Sequence, residues 1–100
     1  MLSEEEELRR LAREAAGRAG REWWRWRQEM ERSLSERGYR LEECRELSSY
    51  SPPGAGILRL RLRCLVRAPD GRRLSLFVVL AAGGSPREPC RIEYASVRQA

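Results

Sequence analysis

The chain has 100 residues, of which 41% are hydrophobic and 35% charged, and its formal net charge is +5. This length and balance indicate one globular domain over residues 1–100 and exclude a disordered chain. No apolar run approaches the roughly 20 residues of a transmembrane helix, and the acidic start is unlike a basic targeting peptide. We therefore expect a soluble domain with no membrane partner, cytoplasmic if it is made in a cell.

The choice of residue types is restricted. All twenty basic residues are arginine, Lys, Asn, Thr and His are absent, and Asp occurs once, as Asp70. A GC-rich genome would favour Arg, Ala and Gly, but it would not remove Thr, His and Asp, whose codons can be GC-rich. A sequence optimised for structure with a few helix-favouring residue types would have this composition.

The N-terminal third has a helical pattern. Ser3 and Glu6 form an S-x-x-E capping box. Apolar residues then recur at steps of three or four: Leu8, Leu11, Ala12, Ala15, Ala19, Trp23, Trp26, Met30 and Leu34. This spacing predicts one long helix from about Ser3 to Glu36, ended by Gly38. A kink or break at Gly17–Gly20 is the alternative, because each interior glycine costs about 1 kcal/mol relative to alanine.

The length of this helix raises a packing problem. At 1.5 Å per residue it would extend about 50 Å, whereas a ten-residue strand spans about 33 Å. An overhang would expose Leu8, Leu11, Ala12 and Ala15, so we expect a kink or a homodimer through the helix. Trp23 and Trp26 share the apolar stripe and are assigned to the core. Trp24 points away from it, towards a curved sheet, a dimer interface or a ligand pocket; membrane-surface binding is disfavoured because nearby glutamates dilute the charge.

The second half predicts four strands, at about 39–49, 57–68, 73–81 and 90–97. The middle two alternate apolar residues and arginines around the hairpin loop Ala68–Arg72, where proline and glycine suit a type I turn. Their predicted inner-face pairs are Val66–Leu74, Cys64–Leu76, Leu62–Val78 and Leu60–Leu80. A slip of one residue would bring arginine onto that face, so the pattern and the turn specify the same register.

The two outer strands are less regular. In the first, Tyr39, Leu41 and Leu47 share a phase that Glu43 and Arg45 interrupt, which indicates a bulge or an edge position. In the last, strict alternation puts Cys90, Ile92 and Tyr94 on one face. The predicted fold class is therefore α+β, with the helix packed on a four-stranded antiparallel meander.

This order of elements resembles the cystatin-like fold and, more loosely, NTF2-like domains. Cystatins inhibit papain-type proteases through a Gln-x-Val-x-Gly hairpin and a later Pro-Trp. Here the hairpin reads Arg-Ala-Pro-Asp-Gly at 67–71 and Pro-Trp is absent, so the resemblance implies topology and no protease inhibition. With its capping box, strict patterning and short turns, the chain more closely resembles an idealised de novo designed protein.

No catalytic or metal-binding pattern is evident. Cys44, Cys64 and Cys90 form no CxxC pair and there is no histidine, so we interpret them as small apolar strand residues, with one disulfide as the alternative. Neither Ser75 nor Cys64 has an adjacent base. Glu42 and Glu43 are consecutive, which in a regular strand places them on opposite faces. We predict that the protein is not an enzyme and needs no metal or cofactor.

The basic face of the central strands is the one candidate binding surface. It contains Arg59, Arg61, Arg63, Arg67, Arg73 and Phe77. Arginines around an aromatic ring suit the phosphates and bases of RNA or single-stranded DNA. The alternative is a solvated face whose arginine stems cover apolar neighbours. The absence of RNP and KH motifs and of an aromatic pair favours the alternative.

Two functional hypotheses follow. The first is a designed folding scaffold with no evolved biochemical function and no required partner. The second is a small nucleic-acid- or protein-binding domain that uses the arginine-rich outer face of the sheet.

Overall fold

The computed structural model describes residues 2–54, 56–83 and 88–100. Its elements are α1 (Glu4–Ala19), a 3-10 turn (Trp23–Arg25), α2 (Trp26–Ser35), β1 (Arg40–Tyr50), β2 (Ile57–Arg67), β3 (Arg73–Gly83) and β4 (Arg91–Gln99). The strands form one antiparallel sheet in the order β1-β2-β3-β4. The predicted α+β class and meander topology are confirmed, and each predicted strand lies within about two residues of its observed bounds.

The helical segment is broken, so the prediction of one continuous helix is wrong and its stated alternative is observed. Helix α1 begins at the predicted cap, where the Ser3 hydroxyl accepts the amide of Glu6 at 3.2 Å. It continues through Gly17 and ends at Gly20, whose φ of 63° and ψ of −125° are accessible to glycine and strained for other residues. The chain then turns through residues 20–25 into α2.

The break allows both helices to cover the sheet. Helix α2 folds back on α1, and the buried indole of Trp26 donates to the carbonyl of Ala12 at 3.0 Å. The side chains expected on an overhang, those of Leu8, Leu11, Ala12 and Ala15, are completely buried within the chain. An exposed apolar overhang was the reason for predicting a homodimer, and that reason no longer applies.

A buried carboxylate also joins the two helices. Glu29 of α2 is only 5% exposed at its side chain and lies within 3.5 Å of Arg18 of α1 and 3.6 Å of Arg25. Arg18 also donates a hydrogen bond to the buried hydroxyl of Ser33. Removing these arginines would leave the charge of Glu29 buried without a partner, so the contacts favour the packing of α2 against α1.

The central hairpin has the predicted register. Val66 faces Leu74, and the other three inner-face pairs follow without a shift along the 11 residues of β2. The amide of Ala68 donates to the carbonyl of Arg72 at 2.8 Å, and Gly71 has a φ of 91°. The apolar face of this hairpin forms the core with the helices.

Strand β1 is an edge strand with two bulges, between Leu41 and Glu43 and between Glu46 and Ser48. Both features suggested by its broken pattern are therefore present. Opposite Cys64 of β2 stands Cys44, and the two form a disulfide with Cα atoms 4.0 Å apart. The interpretation of three separate cysteines is wrong, and the alternative of one disulfide with a remaining thiol is observed.

Strand β4, the other edge, also departs from its predicted phase. Ile92 pairs with Leu80 and Tyr94 pairs with Val79, so Glu93 is an extra residue between them. The bulge leaves Ile92 on the inner face and turns Tyr94 to the outer face, which corrects their predicted common orientation. Cys90 precedes the strand; its thiol donates to the carbonyl of Ala16 at 3.2 Å, and burial raises the pKa of this thiol.

Candidate functional site

The outer face of the sheet, opposite the helices, holds the predicted binding residues. The strand register arranges its side chains in rows that cross β2, β3 and β4. Three consecutive rows are Arg61–Val79–Tyr94, Arg63–Phe77–Ser96 and Leu65–Ser75–Arg98. Neighbouring rows are about 6.6 Å apart along the strands, and neighbouring strands about 4.8 Å apart. A ligand lying across these rows would contact basic, aromatic and hydroxyl groups together.

An aromatic pair lies in the middle of this face. The rings of Phe77 and Tyr94 meet edge to face with centroids 6.0 Å apart and an interplanar angle of 61°. Tyr94 is 54% exposed, so much of its side chain is accessible to solvent. Sequence reasoning missed this pair because it assumed strict alternation in β4. The spacing of Ile92, Ala95 and Val97, three residues and then two, was the available sign of a bulge.

Three of the five predicted arginines are bound to carboxylates. Arg59 Nε lies 2.7 Å from Glu93 Oε1, and this hydrogen bond lowers the pKa of Glu93. Arg67 Nη2 and Arg73 Nε both contact Glu42, at 3.2 and 3.4 Å. These ion pairs offset the positive charge at the two ends of the face, which leaves its middle as the more electropositive part.

The arginines in the middle of the face have no such partners. Within residues 2–54, 56–83 and 88–100, no carboxylate lies within 4.0 Å of the guanidinium of Arg61, Arg63 or Arg98. All three side chains are exposed. Arg98 was not among the predicted residues, because only the pairing of β4 with β3 shows that it shares a face with Arg63.

Arg63 stands between two hollows on this face. The first, of about 190 Å³, is lined by Arg63, Ser75, Phe77, Ser96, Arg98 and Gln99. The second, of about 220 Å³, is lined by Glu43, Arg45, Leu47, Arg63 and Leu65. The first combines cationic and hydroxyl donors with one aromatic ring. The second is more apolar, because the bulge after Leu41 places Leu47 on the outer face, where it is 44% exposed.

Trp24 lies on the other side of the sheet. It is 62% exposed and meets Trp23 edge to face, with ring centroids 5.8 Å apart. The two rings line a groove of about 190 Å³ that reaches Cys44 and Leu60 of the sheet. Trp26 is buried in the core as predicted, whereas Trp23 is only partly buried against it. Trp24 is thus an exposed aromatic residue remote from the arginine face.

The serine, cysteine and glutamates considered as catalytic candidates make other contacts in the structure. Cys64 is in the disulfide, and Ser75 pairs with Arg98 on the outer face. The bulge after Leu41 brings both Glu42 and Glu43 to outer-face arginines, so their predicted placement on opposite faces is wrong.

Among the described residues, no group of three or more His, Cys, Asp or Glu side chains could hold a metal ion. No helix in the same part of the chain is long and apolar enough to cross a membrane.

Comparison with known proteins gives no match: no protein-family model, curated protein or solved structure is significantly similar to this chain. The resemblance to cystatin-like domains stays a prediction from the order of elements.

Proposed function

We propose that the protein binds single-stranded nucleic acid, RNA or DNA, on the outer face of its sheet. The observation that carries the proposal is the pair of exposed Tyr94 and half-buried Phe77, in the same part of the outer face as three arginines that have no carboxylate partner among the described residues. Bases of any sequence can stack on aromatic rings, while guanidinium groups bind the phosphates that connect them. The chain's net charge of +5 favours association with such a polyanion.

The arrangement of the aromatic pair suits an unpaired base. The Tyr94 ring is half exposed and Phe77 supports it from the side, so a base can stack on Tyr94 without displacing a core residue. Bases inside a duplex are already stacked on one another, and their faces are not available to this ring. The aromatic contact therefore favours single strands over duplexes.

The arrangement of charges suits a short stretch of backbone. Arg61, Arg63 and Arg98 lie in three successive rows around the aromatic pair. Three phosphate contacts to a single strand give a log–log dependence of affinity on salt with a slope of about −2. Arg59, Arg67 and Arg73, the other predicted residues, already have carboxylate partners and contribute less.

The test is titration of fluorescently labelled ten-nucleotide single strands, followed by anisotropy, with wild type and Tyr94→Ser. Loss of one stacking contact costs about 1–3 kcal/mol, so the variant should bind about five- to 150-fold more weakly. Trp24→Ser is the matched control, because it removes a similarly exposed aromatic ring on the opposite side of the sheet. Its affinity should equal that of wild type.

Several outcomes would contradict the proposal. One is equal weakening by both substitutions. Another is equally tight binding of heparin, a polyanion without bases, because stacking would then contribute nothing. Absence of saturable binding would favour the other hypothesis, a folding scaffold with no evolved function.

A further inference from the structure

We infer that the hollow between Arg63 and Arg98 holds the terminal phosphate of the bound strand, a phosphate monoester. This inference rests on the proposed function and adds a specificity to it: a preference for phosphorylated over hydroxyl-ended single strands. The hollow, about 190 Å³, is lined by two arginines, two serines, one glutamine and the edge of the aromatic pair. No carboxylate is among these lining residues.

The register places the donors around one point. Ser96 stands opposite Phe77, and Ser75 stands opposite Arg98, so the two hydroxyls lie in neighbouring rows on adjacent strands. Arg63, on β2, and Arg98, on β4, lie on either side of this pair of hydroxyls, two strand spacings and one row apart, or roughly 12 Å at the backbone. Both side chains are long enough to meet over the hydroxyls, where a phosphate would accept hydrogen bonds from all four residues.

The charge of the hollow matches a monoester better than an internal diester. A terminal phosphate carries about −1.5 to −2 charges at pH 7 and presents three oxygens that accept strong hydrogen bonds. The two guanidinium groups supply the opposite charge and can bind an oxygen pair in a bidentate manner. An internal phosphodiester carries one negative charge and has only two free oxygens, so it would leave one guanidinium uncompensated.

The residues around the hollow indicate in which direction the bound nucleic-acid strand continues. Beyond the Ser75–Arg98 row, towards the hairpin loop, Arg67 and Arg73 are both occupied by Glu42. In the other direction lie the Tyr94 ring and Arg61, which has no carboxylate within 4.0 Å in the described residues. A strand with its terminal phosphate in the hollow therefore continues over Tyr94, where its first base stacks.

The experiment compares single strands of identical sequence that differ only at one end. One pair carries a 5′-hydroxyl or a 5′-phosphate with the label at the 3′ end, and a second pair reverses the ends. We expect the phosphate to raise affinity about tenfold or more in one of the two pairs, the range for hydrogen bonds to a charged group. The pair that responds identifies which terminus occupies the hollow.

Variants locate the effect. In Arg98→Gln and Ser96→Ala, the ratio of the affinity for the phosphorylated strand to that for the hydroxyl-ended strand should fall towards one. This holds even if both strands bind more weakly than to wild type. Arg13→Gln removes an exposed charge from α1 and should keep the full ratio. Far-ultraviolet circular dichroism confirms that each variant is folded.

Each remaining result has one meaning. Equal affinities for phosphorylated and hydroxyl ends in both pairs would overturn the terminal-phosphate site, while binding that still depends on Tyr94 would leave the proposed function intact. A phosphate preference that persists in both Arg98→Gln and Ser96→Ala would also overturn it, because the phosphate would then bind elsewhere. If no single strand binds, the proposed function and this inference both fail.

Discussion

The central hairpin and the two edge strands of the same sheet differ in the regularity of their pairing. Strands β2 and β3 pair along their full length without a register shift. Strand β1 contains two bulges and β4 contains one. An extra residue in a central strand would disrupt two hydrogen-bonded ladders, whereas in an edge strand it disrupts one, so bulges collect at edges.

This difference decides the composition of the outer face. The arginines predicted from alternation, such as Arg61 and Arg63, are on central β2, and they lie where expected. The unexpected outer-face side chains of Leu47 and Tyr94 follow bulges in β1 and β4. The central strands thus provide a regular basic surface, and the edge strands add apolar and aromatic groups to it.

The largest expected difference between the two regions is in core packing. Leu76 of β3 is completely buried, so Leu76→Ala should lower the free energy of unfolding by about 2–5 kcal/mol. Leu47→Ala, on β1 and 44% exposed, should change it by less than about 0.5 kcal/mol. Urea denaturation measures both, and similar losses would mean that the edge strand packs as tightly as the centre.

The disulfide, which connects edge strand β1 to central strand β2, should have an effect within the same range. Cys44 and Cys64 are 20 residues apart in sequence, and closing a loop of this length stabilises the folded state by about 3 kcal/mol. Reductant should therefore lower the unfolding midpoint of wild type, whereas the midpoint of the double variant Cys44→Ala/Cys64→Ala should not change.

Thiol titration of the denatured protein provides the control for this measurement. It should find one thiol before reduction, from Cys90, and three afterwards. If reduction exposes three thiols but leaves the unfolding midpoint of wild type unchanged, the disulfide does not stabilise the pairing of β1 with β2.

The smallest effect is expected from deletion of Glu93. This residue is the extra one in β4, so its removal restores strict alternation with Ile92 inward and Tyr94 outward. The loss is limited to solvent-accessible ion pairs with Arg59 and Arg91, and such pairs contribute little to stability. Deletion of Ser96, two residues beyond the bulge, should be far more destabilising, because it turns Val97 from the core to the outer face. Equal unfolding midpoints for the two deletions would contradict the assignment of the bulge.

Much of the candidate site was readable in the sequence, but its most specific part was not. The stripe from Arg59 to Arg67 and its pairing with Phe77 followed from alternation and one turn. The carboxylate partners of Arg59, Arg67 and Arg73 come from edge strands. Local periodicity does not encode contacts between strands that are distant in sequence. The sequence therefore could not show which arginines have no carboxylate partner, or that Arg98 lies on the same face.

The sequence by itself determined the elements whose signals are local. The Ser3 cap, the apolar stripe of the helices and the register of β2 with β3 depend on residues within a few positions, or on one short turn, and each was predicted correctly. Tertiary structure decided whether the helix would break at Gly20, which cysteines would pair, and where the edge strands would bulge. Each irregularity has a small local free-energy cost. That cost is outweighed by the free energy gained when Leu8, Leu11 and Trp26 are buried in the core, and this burial requires the whole chain to be folded.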